Sequence, residues 1–464
     1  MISLHKALAT VVLFVHYCGS LQHNHSRPPS TMHRTERIDL PQNSIGTKHT
    51  LLFHRWGPPS ANEADSPTPV PQCYIQAALH ADELPGLLVC HHLIHLLDAA
   101  AARGDVLQRI CMAPYANPIG LSQHLLGTHV GRFSIESGVN FNRNWLCVAD
   151  TVAERLTRDE AAGGLRLRLR ECGDGDDDSA PSATHNVKVI RAAILEAIDA
   201  KAGFSADAVL KRLLLREAAL SDLCLDLHCD AESIMHMYTH NNLWPAFADL
   251  AAELGSHCHL LATTSGGDPF DETVSHLWAD LQAKFPEYTV PMACASVTIE
   301  LRGEMDVSDE LALRDAQAIF RVLQRRGYIS APSPPFATPS PQAAPTSTPT
   351  PTANVPTPPL PLPPLPPLLR DATPLDAVDM IEAPCPGVVV WRVQLGESVS
   401  CGQLLGEIVN MQDPDAPRVA IASKTAGVVF SRKRHRLVVP GQVIVKIAGE
   451  KALEWRSGML LTAR

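Results

Sequence analysis

Short apolar runs alternate with longer stretches of helical periodicity over the first two thirds of the chain. Two stretches predict helices: one ends at Gly104, and the other begins after an N-cap at Ser308 and ends before Gly327. Four runs read as buried strands, namely CYIQAAL, RICMAPYAN, LCLDLHC and SVTIEL. This alternation predicts an α/β domain with a mixed, mostly parallel sheet, which we place at residues 40–330.

Residues 150–187 interrupt that pattern and read as an insertion. They include the acidic tract GDGDDDSAPS. A calcium loop needs regular ligand spacing and a closing glutamate, and neither is present, so the tract predicts a solvated loop.

Residues 331–370 form the clearest boundary, because sixteen of these forty residues are proline. Proline lacks an N–H and fixes φ, so the stretch predicts an extended, semi-rigid linker. A polyproline ligand for an SH3-type partner within PPLPLPPLPP is the alternative.

Residues 375–450 carry short β-rich runs punctuated by glycine and proline, in two similar halves. Each half opens on PGVV or AGVV, which predicts a small all-β domain. This segment resembles the biotinyl/lipoyl-like barrel-sandwich domains, which present a lysine at the turn between the halves. Here that turn reads Asn410-Met411-Gln412, so we predict the fold without an attached cofactor. Residues 451–464 follow as a tail.

Composition excludes several classes of protein. A formal net charge of −10 argues against a nucleic-acid-binding surface. No apolar run reaches the roughly 18 residues that span a bilayer. Residues 1–35 contain no Asp or Glu and predict a disordered or targeting extension.

The predicted location is the cytoplasm. Many of the twelve cysteines lie in apolar runs and none forms a C-x-x-C pair, which favours buried thiols in a reducing compartment. A mitochondrial presequence or a secretory signal within residues 1–31 would change the location, and a true start at Met32 would remove the segment.

Three residues predict a metal site. The spacing His80-x-x-Glu83 suits two ligands of one ion, and His228 ends an apolar strand, where α/β sheets bind ligands. Two histidines and one carboxylate form a catalytic zinc site with a fourth position for water, whose pKa zinc lowers to about 7. Asp226, on the same strand face as His228, is a candidate partner for a ligand histidine or a purely structural residue.

Other residues fit the chemistry of amide hydrolysis. Glu300 ends another predicted strand and can take a proton from water and pass it to the leaving nitrogen. Its alternative role is an ion pair with Arg302 or Arg314. Arg143 is a candidate to bind a substrate carboxylate through two parallel hydrogen bonds.

Four motifs in order, HADELPG, NFNRNW, DLH and TIELRG, resemble those of the succinylglutamate desuccinylase/aspartoacylase family, within the zinc-carboxypeptidase-like group. The resemblance covers roughly residues 40–330. It implies a carboxypeptidase-like three-layer α/β/α fold with a mixed sheet. It also implies one zinc ion per chain and hydrolysis of an amide bond to an amino acid. The chain departs from the family at Ala81-Asp82, where characterised deacylases usually carry Gly-Asn.

The family's functional residues fall on positions of this chain as follows. The implied metal ligands are His80, Glu83 and His228, and the implied catalytic glutamate is Glu300. The implied carboxylate-binding pair is Asn142 and Arg143, and the best match for the oxyanion arginine is Arg132 in VGRFSIESG.

The predicted function is therefore a zinc-dependent deacylase of N-acyl amino acids or similar small carboxylate-bearing substrates. Two alternatives remain: a metallocarboxypeptidase or peptide amidase, and a non-catalytic binding protein with a hydrolase-like pocket. The C-terminal domain is predicted to cover the pocket, to bind substrate or to mediate homo-oligomer formation.

Overall fold

The computed structural model describes residues 33–58, 72–157, 169, 182–201, 203–331 and 362–461. Residues 1–32, most of the acidic tract and linker residues 332–361 lie outside these ranges, as do Cys18 and Cys172. The predictions for them are therefore not addressed.

Nine strands form one large mixed sheet. They are β1 (His33–Asp39), β2 (Thr50–Trp56), β3 (Gln72–Ala77), β4 (Arg109–Ala113), β7 (Leu223–Asp230), β9 (His236–His240), β10 (Cys258–Ala262), β11 (Ala295–Gly303) and β12 (Thr373–Pro374). Their order is β1-β2-β4-β3-β7-β11-β9-β10-β12. The central strands β4, β3, β7 and β11 run parallel, whereas β9 is antiparallel to β11.

The sheet begins earlier than the sequence indicated. Strand β1 starts at His33 and pairs along its whole length with β2, so the predicted boundaries at residues 35 and 40 are wrong. Charged side chains dominate this outer strand, and its opposite number at the far edge, β12, ends in Pro374.

Helices cover both faces of the sheet. They are α1 (Pro85–Arg103), α2 (Pro118–Leu121), α3 (Ala149–Thr157), α4 (Ser182–Ala200), α5 (Ala206–Ala219), α6 (Trp244–Leu254), α7 (Phe270–Lys284) and α8 (Asp309–Arg325). One apolar core packs α3, α4, α5 and α7 against one face, and the other packs α1, α6 and α8 against the opposite face. The predicted ends at Gly104 and the N-cap at Ser308 are confirmed.

The prediction of an insertion over residues 150–187 is partly wrong. Its two ends belong to α3 and α4, whose apolar sides join the core, because Val152, Leu156 and Ile190 are buried. The amphipathic spacing of these residues was obscured in the sequence by the acidic tract between them.

Helix α1 is long and apolar enough, by length and composition, to cross a membrane. Its residues Val89, Leu93 and Leu97 are buried against the sheet and α8. Within the described ranges it is the only helix that passes this test.

Residues 378–449 form two antiparallel sheets around a separate apolar core, and we call this part the C-terminal module. One sheet contains β13 (Val378–Glu382), β15 (Ser398–Val399), β18 (Gly427–Arg432) and β20 (Val443–Gly449); the other contains β14 (Gly387–Trp391), β16 (Leu404–Val409), β17 (Val419–Ala422) and β19 (Leu437–Val438). The turn with Met411 is exposed between β16 and β17.

The module is joined to the large domain by a short strand. Strand β8 (Glu232–Ser233) follows β7 directly and pairs with β18 of the module. The remaining short strands, β5 (His124–Leu125) and β6 (Thr128–His129), form a hairpin of the large domain.

Candidate active site

His80 and Glu83 lie in the turn between β3 and α1, and both are buried. The backbone N–H of Glu83 donates to the His80 carbonyl at 3.2 Å, which closes the turn. Ala78, just ahead of His80, has a φ of 54°, a conformation that costs free energy for a residue with a Cβ. The tight turn thereby brings both side chains to the same side.

His228 reaches the same place from β7. Its Nδ1 lies 2.8 Å from Glu83 Oε2, and its Nε2 lies 2.9 Å from the Asp226 carboxylate. Asp226 also accepts a hydrogen bond of 2.9 Å from the Gln76 amide on β3. Asp226 therefore orients the imidazole through the nitrogen that faces away from Glu83, as the sequence allowed.

The three side chains form a candidate metal centre. One ligand atom of each, from His80, Glu83 and His228, lies within 4.8 Å of the other two, and this is the only such group within the described residues. His80 Nδ1 lies 2.8 Å from Glu83, and its Nε2 lies 2.8 Å from the Asn140 amide oxygen. Both histidines thus present Nδ1 to one point and are held by Nε2, an arrangement that fits a zinc ion.

Burial controls the charges at this centre. Burial, reinforced by the neighbouring Arg132 cation, lowers the pKa of His80 to about 4, which keeps its imidazole neutral as a metal ligand requires. Burial alone would lower the pKa of His228, but the carboxylates of Asp226 and Glu83 raise it well above its usual range. Burial likewise opposes ionisation of Glu83, yet the two histidines hold its pKa well below normal.

Arg132 lies beside the centre, because its loop is bound to the turn that carries His80. The Ala81 N–H donates to the Gly131 carbonyl at 3.0 Å. The guanidinium of Arg132 then donates to Glu83 Oε1 at 2.8 Å. A Cβ at position 131 would lie 2.5 Å from the Asp82 nitrogen, so only glycine permits this approach of the two loops.

Glu300 projects from β11 next to His228, with which it is in register across the parallel pair β7/β11. One of its carboxylate oxygens is buried without a hydrogen-bond partner in the described part of the chain. Burial and the adjacent Glu83 raise the pKa of Glu300 to about 8. Arg302 and Arg314 both pair with Asp315 instead, so the ion-pair alternative for Glu300 is wrong.

Asn142 and Arg143 follow from the opposite wall. The Asn142 side-chain oxygen accepts the Phe270 N–H at 2.8 Å and thereby fixes the start of α7. Arg143 donates to the Asn142 carbonyl at 2.7 Å and lies against Gly267, whose added Cβ would be 2.9 Å from Arg143 Cδ.

All seven predicted residues line one cavity of about 880 Å³, which includes space open to solvent. The sequence did not single out several other lining residues. Asp230 alternates with His228 on β7, a signal that could have been used. Lys446 donates to Asp230 at 2.5 Å from the C-terminal module, more than two hundred positions away.

Residues 69–167 match the family model of the succinylglutamate desuccinylase/aspartoacylase catalytic domain. The predicted resemblance to this family is confirmed. The match contains His80, Glu83, Arg132, Asn142 and Arg143, but ends before His228 and Glu300. A comparison with curated protein sequences gives no match.

Solved structures related to the succinylglutamate desuccinylase/aspartoacylase family share the fold. A protein of Shewanella frigidimarina named for that family is 21% identical, covers 90% of this chain and 97% of its own, and superimposes with a TM-score of 0.65. A family protein from Shewanella amazonensis gives 20%, 89%, 98% and 0.65 for the same quantities. The ectoine utilization protein EutE (DoeB) of Ruegeria pomeroyi, in a product-bound structure, is 14% identical, covers 90% and 95%, and has a TM-score of 0.54. At these identities the likeness establishes a mixed α/β fold with a large mixed sheet.

Proposed function

We propose that this protein is a zinc-dependent hydrolase that cleaves the amide bond of N-acyl amino acids. The observation that carries the proposal is the convergence of His80, Glu83 and His228 in a cavity that Glu300, Arg132 and Arg143 also line. Zinc bound by the three ligands would supply Lewis acidity toward water and the amide carbonyl.

The side chains of the chain itself take the remaining roles. Glu300 accepts a proton from the attacking water and delivers it to the amide nitrogen as the C–N bond breaks. Arg132 donates hydrogen bonds to the negatively charged oxygen that develops at the carbonyl carbon. Arg143 binds the α-carboxylate of the amino-acid half and so holds the amide within reach of Glu300.

Glu300→Gln separates catalysis from metal binding, because glutamine keeps the shape of the side chain but cannot accept the proton. We expect about one zinc per chain in both proteins and a loss of kcat by about 10² to 10⁴ in the variant. Metal content by atomic absorption and turnover of N-acetyl and N-succinyl amino acids check this. Undiminished kcat in the variant would remove Glu300 from the mechanism.

Two further results decide between hydrolase classes. A preference for dipeptides over N-acyl amino acids would assign the cavity to a metallocarboxypeptidase instead. A protein that holds zinc but turns over neither class would be a binding protein, and the proposal would fail.

A further inference from the structure

The cavity has an apolar end as well as a metal end. Across the sheet, β7 with His228 is followed by β11, β9 and β10, so β10 lies three strand spacings, or roughly 14 Å, from the metal ligand. Leu260 and Ala262 of β10 line the cavity there, and Tyr238 of β9 lies between the two ends. The cavity therefore extends well past the reacting amide.

The C-terminal module supplies the opposite wall of this apolar end. Leu375, Met380 and Leu461 line the cavity and pack in one cluster with Leu260, Ala262 and Tyr238. Met380 on β13 is directly opposite Lys446 on β20, so both side chains leave the module on the face that meets the cavity.

The residues after the module fix this wall to the loop beside Arg143. The Leu460 N–H donates to the Ser265 carbonyl at 2.8 Å, and Arg456 donates to the Leu460 carbonyl at 2.6 Å. Met459 rests on Gly266, where an added Cβ would lie 2.5 Å from its sulfur. The next residue, Gly267, is the one that contacts Arg143.

We propose that the apolar end binds an aliphatic or aromatic side chain of the amino-acid half of the substrate, with Ala262, Met380 and Leu461 as specificity-determining residues. This inference rests on the proposed function, in which Arg143 holds the α-carboxylate. Because Arg143 lies against Gly267 and the tail lies against Gly266, a side chain branching next to that carboxylate meets this wall.

The charges of the cavity agree with an uncharged side chain. Asp230, Asp271 and Glu272 also line it and repel an acidic group. Glu272 already accepts the Ser265 N–H at 3.0 Å, and Asp230 is paired with Lys446. Asp271 is the remaining carboxylate that could receive a cationic side chain, which makes basic substrates the sharpest comparison.

The test measures kcat/KM for norleucine, lysine, glutamate and alanine, each as its N-acetyl and N-succinyl derivative. We expect the norleucine derivatives to exceed the lysine and glutamate derivatives by about tenfold or more. Leu461→Glu should remove most of that preference. Ala262→Phe should fill the apolar end, lowering kcat/KM for norleucine about tenfold while the alanine derivatives keep their rate.

Met411→Glu is the matched control, since Met411 belongs to the same part of the chain but is 71% exposed on a turn. It should leave all four substrates unchanged. Zinc content and the melting temperature of each variant show whether a lost preference comes from unfolding.

The outcomes separate the two proposals. Hydrolysis with a preference for lysine or glutamate, or a norleucine preference that survives both Leu461→Glu and Ala262→Phe, overturns the apolar subsite and leaves the hydrolase intact. Failure to hydrolyse any derivative, with zinc bound, overturns the proposed function and the subsite together.

Discussion

At the scale of single residues, the candidate centre depends on a buried series of hydrogen bonds that starts away from the cavity. Tyr74 donates to Gln76 at 2.8 Å, Gln76 donates to Asp226, and Asp226 holds His228. Such series polarise one another in a low-dielectric interior, so each member affects the basicity of the ligand at the end.

Asp226→Asn tests this series. Asparagine preserves the shape but removes the negative charge behind His228, so zinc affinity should fall about 10- to 100-fold. Competition with a chromophoric chelator measures the change. Asp249→Asn, on the surface of α6, is the control, and equal affinities in both variants would contradict the role of Asp226.

His236 gives the protein a dependence on acid. It is fully buried between the sheet and Phe430 of the C-terminal module, and burial lowers its pKa to about 4, against an ordinary value of 6.5. Because the unfolded chain takes up a proton below pH 6.5 and the folded one does not, stability falls as the pH drops from 6.5 toward 4.

The expected contribution of His236 between pH 7 and pH 5 is about 2 kcal/mol of unfolding free energy. His236→Asn keeps a hydrogen-bond donor near Nδ1 but cannot take up the proton. Guanidinium unfolding at both pH values should show a smaller loss in the variant than in the wild type. An identical loss in the two proteins would assign the acid sensitivity to other groups.

Local motifs predicted the ligands well, because each one ends a strand whose apolar run is visible in the sequence. His80 follows β3, His228 lies in β7 and Glu300 in β11, and parallel strands of one sheet deliver their carboxyl ends to one edge. The part played by Asn140 was missed, although it stands within the same motif as Asn142. Its contact with His80 depends on a loop conformation that no local pattern specifies.

At the scale of elements, the site depends on two loops that approach more closely than side chains normally allow. The loop with Gly131 and Arg132 crosses the turn with Ala81 and Asp82, and their backbones nearly touch. The guanidinium and the ligands are thus parts of one rigid unit.

Gly131→Ala should separate these loops. The new Cβ has no flexible neighbour to displace, only the backbone of Asp82, so Arg132 must move and kcat/KM should fall by about 10²-fold. Steady-state kinetics on the best N-acyl amino acid measures this. Gly104→Ala, at the open end of α1, should leave kcat/KM unchanged, and similar activity in the two variants would show that the close approach is dispensable.

At the scale of the whole molecule, the C-terminal module and the large domain share structure. Strand β8 pairs with β18, Glu232 accepts two hydrogen bonds of 2.8 Å from Arg436, and Lys446 pairs with Asp230. An apolar cluster that includes Leu260 and Phe430 is formed from both parts.

Removal of residues 332–464 should therefore destabilise the large domain and abolish turnover. Each apolar side chain of the shared cluster that becomes exposed costs about 1.5–3 kcal/mol. Melting temperature, solubility and kcat measure the effect. Co-expression of residues 362–464 as a separate chain should restore activity, and a truncated protein with normal kcat would contradict the assignment of the cavity wall.

The large-scale arrangement was only partly predictable. The periodicity of 375–450 predicted antiparallel strands, but nothing in PGQVIVKI marks Lys446 as a residue of the cavity. That contact follows from docking of two surfaces that are distant in sequence. The continuation of the large sheet at β12, after a proline-rich stretch, was hidden for the same reason.

The two borders of the large sheet bear on how copies of the chain could meet. On one border, β1 presents exposed Arg34, Glu36 and Arg37, and on the other, Pro374 lacks the N–H that a further strand would need. Both features oppose extension of the ladder by a neighbouring molecule. Self-association of this protein should therefore proceed through helical or loop surfaces, and fibrous stacking should be resisted even at high concentration.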